Sequence, residues 1–484
     1  MAAAVTTTDT EKPTPTAAET PTAALKAMQA AQRTKGAPSC DERLEHLVRL
    51  SRAVQRKKSV IVDAISRDFG NRSRHETLIA EVFLTIEGIR YTRHHLASWM
   101  EAREREVGWA FMPAGAQVLY QPLGVIGIIS PWNYPLLLAL SPLTSALAAG
   151  NRAMIKPSEL TPETSEVLRD LIAETFEPDH VTVVTGGPEM GETFSRLPFD
   201  HLVFTGSTRV GKVVMRAAAE NLTPVTLELG GKSPAIVGED CSTRTAAQRI
   251  AYGKLLNAGQ TCIAPDYALV PAAKQDAFVA DMKAVITAMY PTLANNPSYT
   301  SIINEKHRAR LQGYLDDAKE KGATVVSVNP ANEELPAVGH KMAPTLVLGA
   351  TEEMAIMQEE IFGPILPIQA YKTLSDAIHY VNDHPRPLAL YYFGYDDAQI
   401  EKVLSETISG GVCINATMLH CAQDDLPFGG VGASGTGHYH AREGFEAFSK
   451  KKPIFYQSRL NSTALLTPPF GRLLDTFLRV VLGK

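Results

Sequence analysis

The chain has 484 residues, of which 45% are hydrophobic and 20% charged, a composition typical of a globular protein with two or three domains. Its formal net charge of −5 does not favour nucleic-acid binding, which usually needs a basic face. The five cysteines show neither a disulfide pattern nor a metal-ligand spacing, so we expect no disulfide framework and no metal site, and a cytoplasmic location.

The N-terminal part of the chain predicts a disordered lead followed by helices. Residues 1–22 consist mainly of Ala, Thr and Pro and lack the pattern of a targeting signal. Three segments then carry apolar residues at helical spacing: 23–34, 41–69 and 75–103. Residues 107–122 predict a strand pair with its turn at 112–115.

From Leu123 the pattern alternates strands with helices, as in a parallel sheet covered on both faces. The strands predicted in this first series are 125–129, 152–155, 181–184, 201–204 and 226–229. Its helices are 136–149, 161–175 and 210–220. Thr161 and Pro162 open the second of these helices as N-cap and first residue.

A second α/β series follows from residue 235. Its predicted strands are 235–237, 267–270, 323–328, 344–348, 388–393 and 410–414. Its predicted helices are 243–257, 274–289, 304–321, 374–383 and 397–407. The chain therefore predicts two α/β units in succession.

Cys262 is the first candidate for chemistry. It ends the stretch Asn257-Ala258-Gly259-Gln260-Thr261-Cys262, a loop of small residues between a helix and a strand. A thiolate is a good nucleophile at a carbonyl carbon, and small neighbours leave room for a substrate. On residue type alone, a buried structural cysteine explains the position as well.

Glu228 is the second candidate, since it lies between two leucines at the end of an apolar strand. Burial there would raise the pKa of its carboxyl toward the range of a general base. A strand that alternates between core and solvent, with Glu228 facing water, is an equally good explanation.

Two further strand ends carry polar residues, and ligands gather at such ends in parallel sheets. Asn133 lies in Pro131-Trp132-Asn133-Tyr134-Pro135, where its amide could hold an oxyanion or simply form a turn. Lys156 and Glu159 could bind ribose hydroxyls, or belong to an ordinary charged loop.

A glycine turn joins a strand to a helix at Phe204-Thr205-Gly206-Ser207-Thr208-Arg209-Val210-Gly211. This geometry suits a phosphate at a helix N-terminus, although the G-x-G-x-x-G fingerprint is absent. Two later stretches, Glu359-Glu360-Ile361-Phe362-Gly363-Pro364 and Leu426-Pro427-Phe428-Gly429-Gly430-Val431-Gly432, read alone as plain turns.

Together and in this order, these motifs resemble the aldehyde dehydrogenase superfamily from about residue 23 to about 458. The chain is most similar to the branch that contains class 3, fatty aldehyde and coniferyl aldehyde dehydrogenases. The stretch 419–440 looks closest to the coniferyl aldehyde dehydrogenases. The implied fold has a Rossmann-like cofactor domain, an α/β catalytic domain and a β oligomerisation arm.

The resemblance also implies roles for individual residues. Cys262 would be the nucleophile, Glu228 the general base and Asn133 the oxyanion donor. The residues implied around the cofactor are Trp132, Lys156, Glu159, Gly206, Ser207, Gly211, Glu360 and Phe362. NAD ranks before NADP, because Glu159 should repel a 2′-phosphate. Tyr91 and Tyr134 are candidates for the wall of the substrate site.

The implied domain boundaries divide the chain into five parts. These are a lead at 1–22, a dinucleotide-binding domain at 23–106 and 124–230, a catalytic domain at 231–425, an arm at 107–123 and 446–460, and an amphipathic tail at 461–484. A homodimer is the implied assembly. We expect the tail to pack against its own or a partner subunit, with contact at a membrane surface as the second interpretation.

The implied function is oxidation of an aldehyde to the acid through a thiohemiacetal and a thioester. Coniferyl or a related aromatic aldehyde ranks first as substrate, and a medium- or long-chain fatty aldehyde second. A CoA-acylating relative ranks lower, since that chemistry needs no water-activating Glu228. A catalytically silent scaffold disagrees with the intact set of Cys262, Glu228 and Asn133.

Overall fold

The computed structural model describes residues 20–335, 340–461 and 463–483. The α-helices are α1 (Pro21–Lys35), α2 (Cys40–Asp68), α3 (Arg74–Thr77), α4 (Leu84–Met100), α5 (Leu137–Ala149), α6 (Pro162–Ala173), α7 (Pro188–Ser195), α8 (Thr208–Ala219), α9 (Thr243–Leu255), α10 (Gln275–Met289), α11 (Glu305–Glu320), α12 (Ala355–Gln358), α13 (Leu374–Asn382), α14 (Asp397–Glu406), α15 (Ala441–Ala447) and α16 (Arg472–Leu482). The strands are β1 (Arg103–Arg105), β2 (Gly115–Pro122), β3 (Val125–Ile129), β4 (Arg152–Lys156), β5 (Val181–Val183), β6 (His201–Thr205), β7 (Val225–Glu228), β8 (Pro234–Val237), β9 (Tyr267–Pro271), β10 (Thr324–Ser327), β11 (Thr345–Leu348), β12 (Ile365–Tyr371), β13 (Ala389–Phe393), β14 (Gly411–Ile414), β15 (Gly435–Thr436) and β16 (Ser449–Tyr456).

The first α/β unit is built on a six-stranded sheet in the order β15-β7-β6-β3-β4-β5. Its strands are parallel except β15, which pairs antiparallel with β7. Every residue of β3, β4 and β6 is buried, since helices cover both faces. The carboxyl ends of β3, β4, β6 and β7 therefore lie side by side at one edge, where a ligand cleft is expected.

The second unit is a seven-stranded sheet in the order β10-β11-β12-β9-β8-β13-β14, parallel except for β10. This confirms the α/β fold class. The strand β12 was not predicted, although it lies inside the sheet between β11 and β9. The helices α7, α12 and α15 were also missed.

A third, antiparallel sheet has the order β1-β2-β16. The prediction of two strands within 107–122 was wrong for the first strand, which lies at Arg103–Arg105, while Trp109–Phe111 forms a 3₁₀ turn. Pro113 has no N–H to donate to a ladder, and regular pairing resumes only at Gly115. The implied pairing with residues after 446 is present, since β16 runs along the whole of β2.

One helix starts earlier than predicted, and a second starts as predicted but is capped by a different side chain. Of the lead 1–22, residues 1–19 lie outside the described residues, but α1 already begins at Pro21. Thr161 does precede α6, yet its hydroxyl does not cap the helix. The carboxylate of Asp68 caps it instead, accepting from the N–H groups of Glu163 (3.0 Å) and Thr164 (2.8 Å).

The C-terminal tail forms α16, whose apolar side chains face outward. Leu473, Val480 and Leu482 are each at least 75% exposed, while the ring of Phe477 contacts that of Trp109 in the arm. Among the described residues, no helix combines the length and the hydrophobicity that a membrane span requires.

Candidate active site

The strand ends of the first unit and a loop of the second enclose a cavity of about 290 Å³. It gathers residues that lie up to 231 positions apart in the chain, between Pro131 and Phe362. Its walls include eight of the predicted site residues: Trp132, Asn133, Gly206, Ser207, Glu228, Cys262, Glu360 and Phe362. Lys156 ends the neighbouring strand β4, opposite Ile129, and Glu159 and Gly211 lie in the adjoining segments.

The loop that presents Cys262 has an unusual backbone. After the end of α9, Asn257, Ala258 and Gly259 adopt positive φ angles of 52°, 52° and 76°. Side-chain-bearing residues adopt this region at a cost of order 1–3 kcal/mol each, so surrounding contacts must hold the loop. A Cβ on Gly259 would lie 2.3 Å from the carbonyl oxygen of Gly363, so only glycine allows this close approach.

Gln260 holds the loop from inside. Its amide nitrogen donates to the carbonyls of Asn257 (2.9 Å) and Ser301 (3.0 Å), and its amide oxygen accepts from the N–H of Ile303 (2.9 Å). The residue is completely buried, and three of its four hydrogen-bonding positions are satisfied. The position of the Cys262 sulfur is therefore fixed before any substrate arrives.

Asn133 is 4% exposed, and its amide nitrogen donates to the carbonyl of Gln260 at 3.2 Å. This bond uses one N–H, and the amide has a second. Its own backbone carbonyl accepts from the guanidinium of Arg72 (2.8 Å) and the amide of Asn257 (3.0 Å). Asn133 is thereby tied to the loop of Cys262 on both sides.

A fully buried ion pair supports this arrangement. Arg72 pairs with Glu81 at 2.8 Å, and both side chains are 0% exposed. Glu81 also accepts from the N–H groups of Leu136 (2.8 Å) and Leu137 (3.0 Å), at the start of α5. Because a buried charge left unpaired costs about 3–5 kcal/mol, neither partner can be removed without disturbing the segment around Asn133.

Glu228 is 3% exposed at the end of β7. Neither of its carboxylate oxygens has a hydrogen-bond partner among the described residues. Burial raises the pKa of this carboxyl well above its usual value. The interpretation of Glu228 as a solvent-facing strand residue is therefore wrong, because its side chain points into the protein beside the cavity.

The Cys262 thiol is partly exposed to the cavity but otherwise enclosed by protein. Burial raises its pKa above the usual value, and Glu360, Cys421 and Glu228 raise it further. Glu228 and Glu360 line the same cavity as Cys262. In this state the sulfur is held as the neutral thiol at neutral pH.

The same cavity also carries groups suited to a dinucleotide. The carboxylate of Glu360 occupies the space left by the absent side chain of Gly230, where a Cβ would lie 2.0 Å from the Glu360 oxygen. Burial, with Asp266 adding, raises the pKa of Glu360 to about 8. The buried hydroxyl of Thr205 has no partner among the described residues. The Glu360 carboxylate suits a ribose hydroxyl, and the Thr205 hydroxyl suits a ribose hydroxyl or a phosphate oxygen.

Two further segments carry groups that suit a nucleotide: the turn between β6 and α8, and the carboxyl end of β4. Ser207 caps α8, accepting from the N–H of Val210 at 3.4 Å, so the N-terminus of an amphipathic helix faces the cavity. Lys156 is 4% exposed and pairs with the half-exposed Glu159 at 2.9 Å. The residues present therefore fit a dinucleotide cofactor.

Among the cavity residues that were not predicted, His307, Arg310 and Tyr314 all lie on α11. Their spacing of three and four positions marks one face of a helix, but the sequence gives no sign that this face borders the cleft. The ring of Trp132 contacts those of His307 (5.1 Å) and Phe362 (5.5 Å). Among the described residues, no group of three or more His, Cys, Asp or Glu converges as metal ligands would.

The two tyrosines expected on the substrate wall lie elsewhere. Tyr134 is 7% exposed, its ring packs on Arg72, and its hydroxyl bonds to that of Thr261 at 2.7 Å. Tyr91 donates to the carboxylate of Asp425 at 2.6 Å. Neither tyrosine lines this cavity, and neither lines the second cavity described below. Tyr134 therefore supports the catalytic loop from behind.

A second cavity of about 200 Å³ lies on the other side of the N-terminal turn of α5. Leu137 faces it, while the next residue, Leu138, faces the first cavity. Its walls include the thiol of Cys421 and the carboxyl of Asp424. Three residues span at most about 10 Å, so Asp424 lies within that distance of Cys421.

Asp424 has no hydrogen-bond or ion-pair partner among the described residues. Its carboxylate lies 3.4 Å from the position that a Cβ on Gly88 would occupy. Burial and the nearby Glu87 raise its pKa to about 6. The group is therefore an unused acceptor on the wall of the second cavity.

Comparison with known proteins gives consistent matches. The family model described as the aldehyde dehydrogenase family matches residues 4–454. A probable coniferyl aldehyde dehydrogenase of Pseudomonas aeruginosa is 55% identical over 435 residues, which cover 90% of each chain. The substrate-bound state of Staphylococcus aureus AldH has a TM-score of 0.89 at 38% identity, covering 95% of this chain and 98% of that one. Mycobacterium tuberculosis aldehyde dehydrogenase complexed with NAD+ has a TM-score of 0.80 at 31% identity, covering 90% and 89%.

Proposed function

The chain belongs to the aldehyde dehydrogenase family, and we propose that Cys262, Glu228 and Asn133 perform its NAD(P)-dependent oxidation of an aldehyde to the carboxylic acid. One observation carries this assignment of roles. A thiol on a rigid loop shares a single cavity with a buried, unpartnered carboxylate and a fixed amide donor. These are the nucleophile, base and oxyanion donor that acyl transfer requires.

The first half of the reaction uses Cys262 and Asn133. The Cys262 thiol gives up its proton to water in the cavity. The resulting thiolate attacks the aldehyde carbon, a C–S bond forms, and the carbonyl oxygen becomes an oxyanion. Asn133 stabilises this oxyanion through its side-chain N–H, helped by the backbone N–H of Cys262. NAD(P), when bound, would supply the acceptor for the hydride that leaves the thiohemiacetal carbon as the thioester forms on Cys262.

The second half uses Glu228. Its carboxylate takes a proton from a water molecule, whose oxygen attacks the thioester carbon. The C–S bond then breaks, the acid leaves and the sulfur regains its electron pair as thiolate. Burial suits Glu228 to this step, because a carboxylate with a raised pKa is a stronger base toward the water molecule.

The residues that suit a nucleotide are assigned to parts of the cofactor as follows. Glu360 would accept hydrogen bonds from the nicotinamide ribose, with Phe362 and Trp132 beside the ring. The pyrophosphate would be held by Gly206 and Ser207, in the turn before α8, and by Gly211, in the first turn of α8. Lys156 and Glu159 would hold the adenosine ribose, and the negative charge of Glu159 favours NAD over NADP.

For the substrate we propose coniferyl aldehyde or another 4-hydroxyaryl propenal. The similar Pseudomonas aeruginosa protein carries that substrate in its name. We propose that the second cavity, on whose wall Asp424 lies, receives the aromatic ring of the substrate and brings its phenol hydroxyl to the unused Asp424 carboxylate. A phenol hydroxyl can donate to this acceptor, whereas a fatty aldehyde has no group that does so.

A panel of aldehydes assayed with NAD and NADP in parallel tests this proposal. We expect higher kcat/KM for 4-hydroxycinnamaldehydes than for octanal, higher activity with NAD, and acid formation without CoA. In the Asp424→Asn variant, kcat/KM for 4-hydroxycinnamaldehydes should fall about tenfold, since a hydrogen bond to a charged group contributes about 1.5–3 kcal/mol. Unsubstituted cinnamaldehyde should react as before.

The neighbouring Asp425→Asn variant is the matched control, since Asp425 bonds to Tyr91 outside the cavity. The pKa of Asp424 is raised to about 6. As the pH falls below that value, the carboxylate becomes protonated and the enzyme should lose its preference for the 4-hydroxy substrate over cinnamaldehyde. Equal losses for cinnamaldehyde and its 4-hydroxy derivative would remove Asp424 from substrate recognition. No cofactor reduction with any aldehyde would overturn the whole proposal.

We propose that the chain forms a cytoplasmic homodimer through the β1-β2-β16 arm. The strand β16 leaves eight residues along an open edge, and Phe455 and Tyr456 on it are more than half exposed. Such an edge is usually covered by another strand. The contact of Phe477 with Trp109 places the tail α16 against the same arm, which favours packing over contact with a membrane. The five free thiols suit the reducing cytoplasm.

Light scattering after size-exclusion chromatography measures the assembly directly. We expect a mass of twice 52.5 kDa at micromolar concentration. A Phe455→Glu variant should shift the protein toward the monomer, because it puts a charge into the apolar contact. A wild-type mass of 52.5 kDa would contradict the dimer.

A further inference from the structure

A buried tyrosine outside the predicted catalytic set follows the strand that pairs with the strand of the base. Tyr439 follows β15, which pairs antiparallel with β7 so that Gly435 stands opposite Glu228. Its side chain is 0% exposed. The backbone is fixed by α5, since the Ser145 hydroxyl donates to the Tyr439 carbonyl at 2.7 Å. The segment after β15 is thus held between the strand of Glu228 and helix α5.

The hydroxyl of Tyr439 has no hydrogen-bond partner among the described residues. The two carboxylate oxygens of Glu228 are also buried without a hydrogen-bond partner among these residues. Each buried polar group without a partner costs about 1–3 kcal/mol, so such groups are normally satisfied by protein or by ordered water. Unpartnered donors and acceptors in neighbouring elements therefore indicate a shared water position.

The protonation state of Tyr439 suits a donor. Burial raises the pKa of its hydroxyl well above 10, and Glu228, Cys262 and Cys421 raise it further. The geometric link to the base is the pairing of β15 with β7, which sets Gly435 opposite Glu228, four residues before Tyr439. The Cys421 thiol already donates to the carbonyl of Met418 at 2.9 Å, so its proton is not available to the Tyr439 hydroxyl.

We propose that Tyr439 and Glu228 together hold the water molecule that hydrolyses the thioester. The Tyr439 O–H donates to the water oxygen, and the water donates one O–H to the Glu228 carboxylate. When the water oxygen bonds to the thioester carbon, that proton passes to Glu228 and the Cys262 sulfur leaves as thiolate. Tyr439 keeps its own proton and acts by orienting the water.

This inference rests on the proposed function, and it separates hydrolysis from acylation. Tyr439→Phe removes one oxygen and keeps the ring in its buried site. The acyl-enzyme should form at the normal rate, with one cofactor reduced per active site in the first turnover. Hydrolysis of the acyl group should then slow about tenfold, the effect expected from losing one orienting hydrogen bond.

The experiment follows the acyl mass on Cys262 by quenching at successive times after mixing with coniferyl aldehyde and NAD. Tyr371→Phe is the matched control, since its hydroxyl is also buried but donates to the Val237 carbonyl at 2.6 Å in the other sheet. That variant should hydrolyse the acyl group normally, whatever it loses in thermal stability.

The outcomes distinguish the two proposals. Unchanged hydrolysis in Tyr439→Phe would overturn the role of Tyr439 and leave the proposed function intact. Equal slowing of acylation and hydrolysis would show a structural role only, which also overturns the inference. A wild-type protein that forms no acyl-enzyme would instead overturn the proposed function itself.

Discussion

Replacing Cys262 by Ala is expected to abolish aldehyde oxidation, with a loss in kcat/KM of at least about 10⁴-fold, the scale of removing a covalent nucleophile. Without the sulfur no thiohemiacetal forms, and the remaining groups have no bond to break. The loop should survive the change, because its contacts run through Asn257, Gly259 and Gln260. The measurement is steady-state cofactor reduction together with a thermal unfolding scan.

Cys421 provides the matched control for this result. It is the other thiol near the site, and its pKa is raised to about 12 by burial and by Cys413. Its sulfur already donates to the Met418 carbonyl, so we expect Cys421→Ala to retain activity within a few fold. Loss of activity in Cys421→Ala with activity kept in Cys262→Ala would reverse the assignment.

Replacing Glu228 by Gln is expected to leave acylation intact and to slow turnover about 10²–10³-fold, as for removal of a general base. The first turnover should release one reduced cofactor per site, after which the thioester accumulates. Glu360→Gln is the control, since it should weaken cofactor binding without trapping the acyl group. A normal steady-state rate in Glu228→Gln would mean that another group activates the water.

The same variant predicts a change in pH dependence. Glu228 must be ionised to accept a proton, and burial holds its pKa above the usual value. Hydrolysis of the acyl group should therefore be slow on the acid side and rise with pH through the raised pKa of Glu228. This rise should disappear in Glu228→Gln, because Gln does not titrate. A rise that persists would belong to a different group.

Much of the site could be predicted from sequence because it sits at the ends of local elements. A strand followed by a tight turn and a helix recurs at β3, β4 and β6, and parallel pairing brings those ends together. Local pattern therefore predicted where Asn133 and Gly206 would lie. Which of several cysteines and glutamates matters was not decided by local pattern, and required the resemblance to a family.

The parts that were missed depend on contacts between distant residues. The strand β12 contains Pro367 and follows Pro364, which makes it look unlike an inner strand, yet it pairs on both sides. Arg72 reaches Asn133 across 61 positions, and Tyr439 approaches Glu228 only because β15 returns to the first sheet. No periodicity in the sequence marks such approaches.

The central claim, that the Cys262 sulfur carries the acyl group, can be tested by peptide mass spectrometry on Glu228→Gln. The variant is mixed with coniferyl aldehyde and NAD, quenched in acid and digested with trypsin. The peptide 255–274 contains Cys262 as its only cysteine. We predict the added mass of a feruloyl group on that peptide, at close to one per chain. An unmodified 255–274, or an adduct on peptide 403–442 with Cys413 and Cys421, would contradict the account.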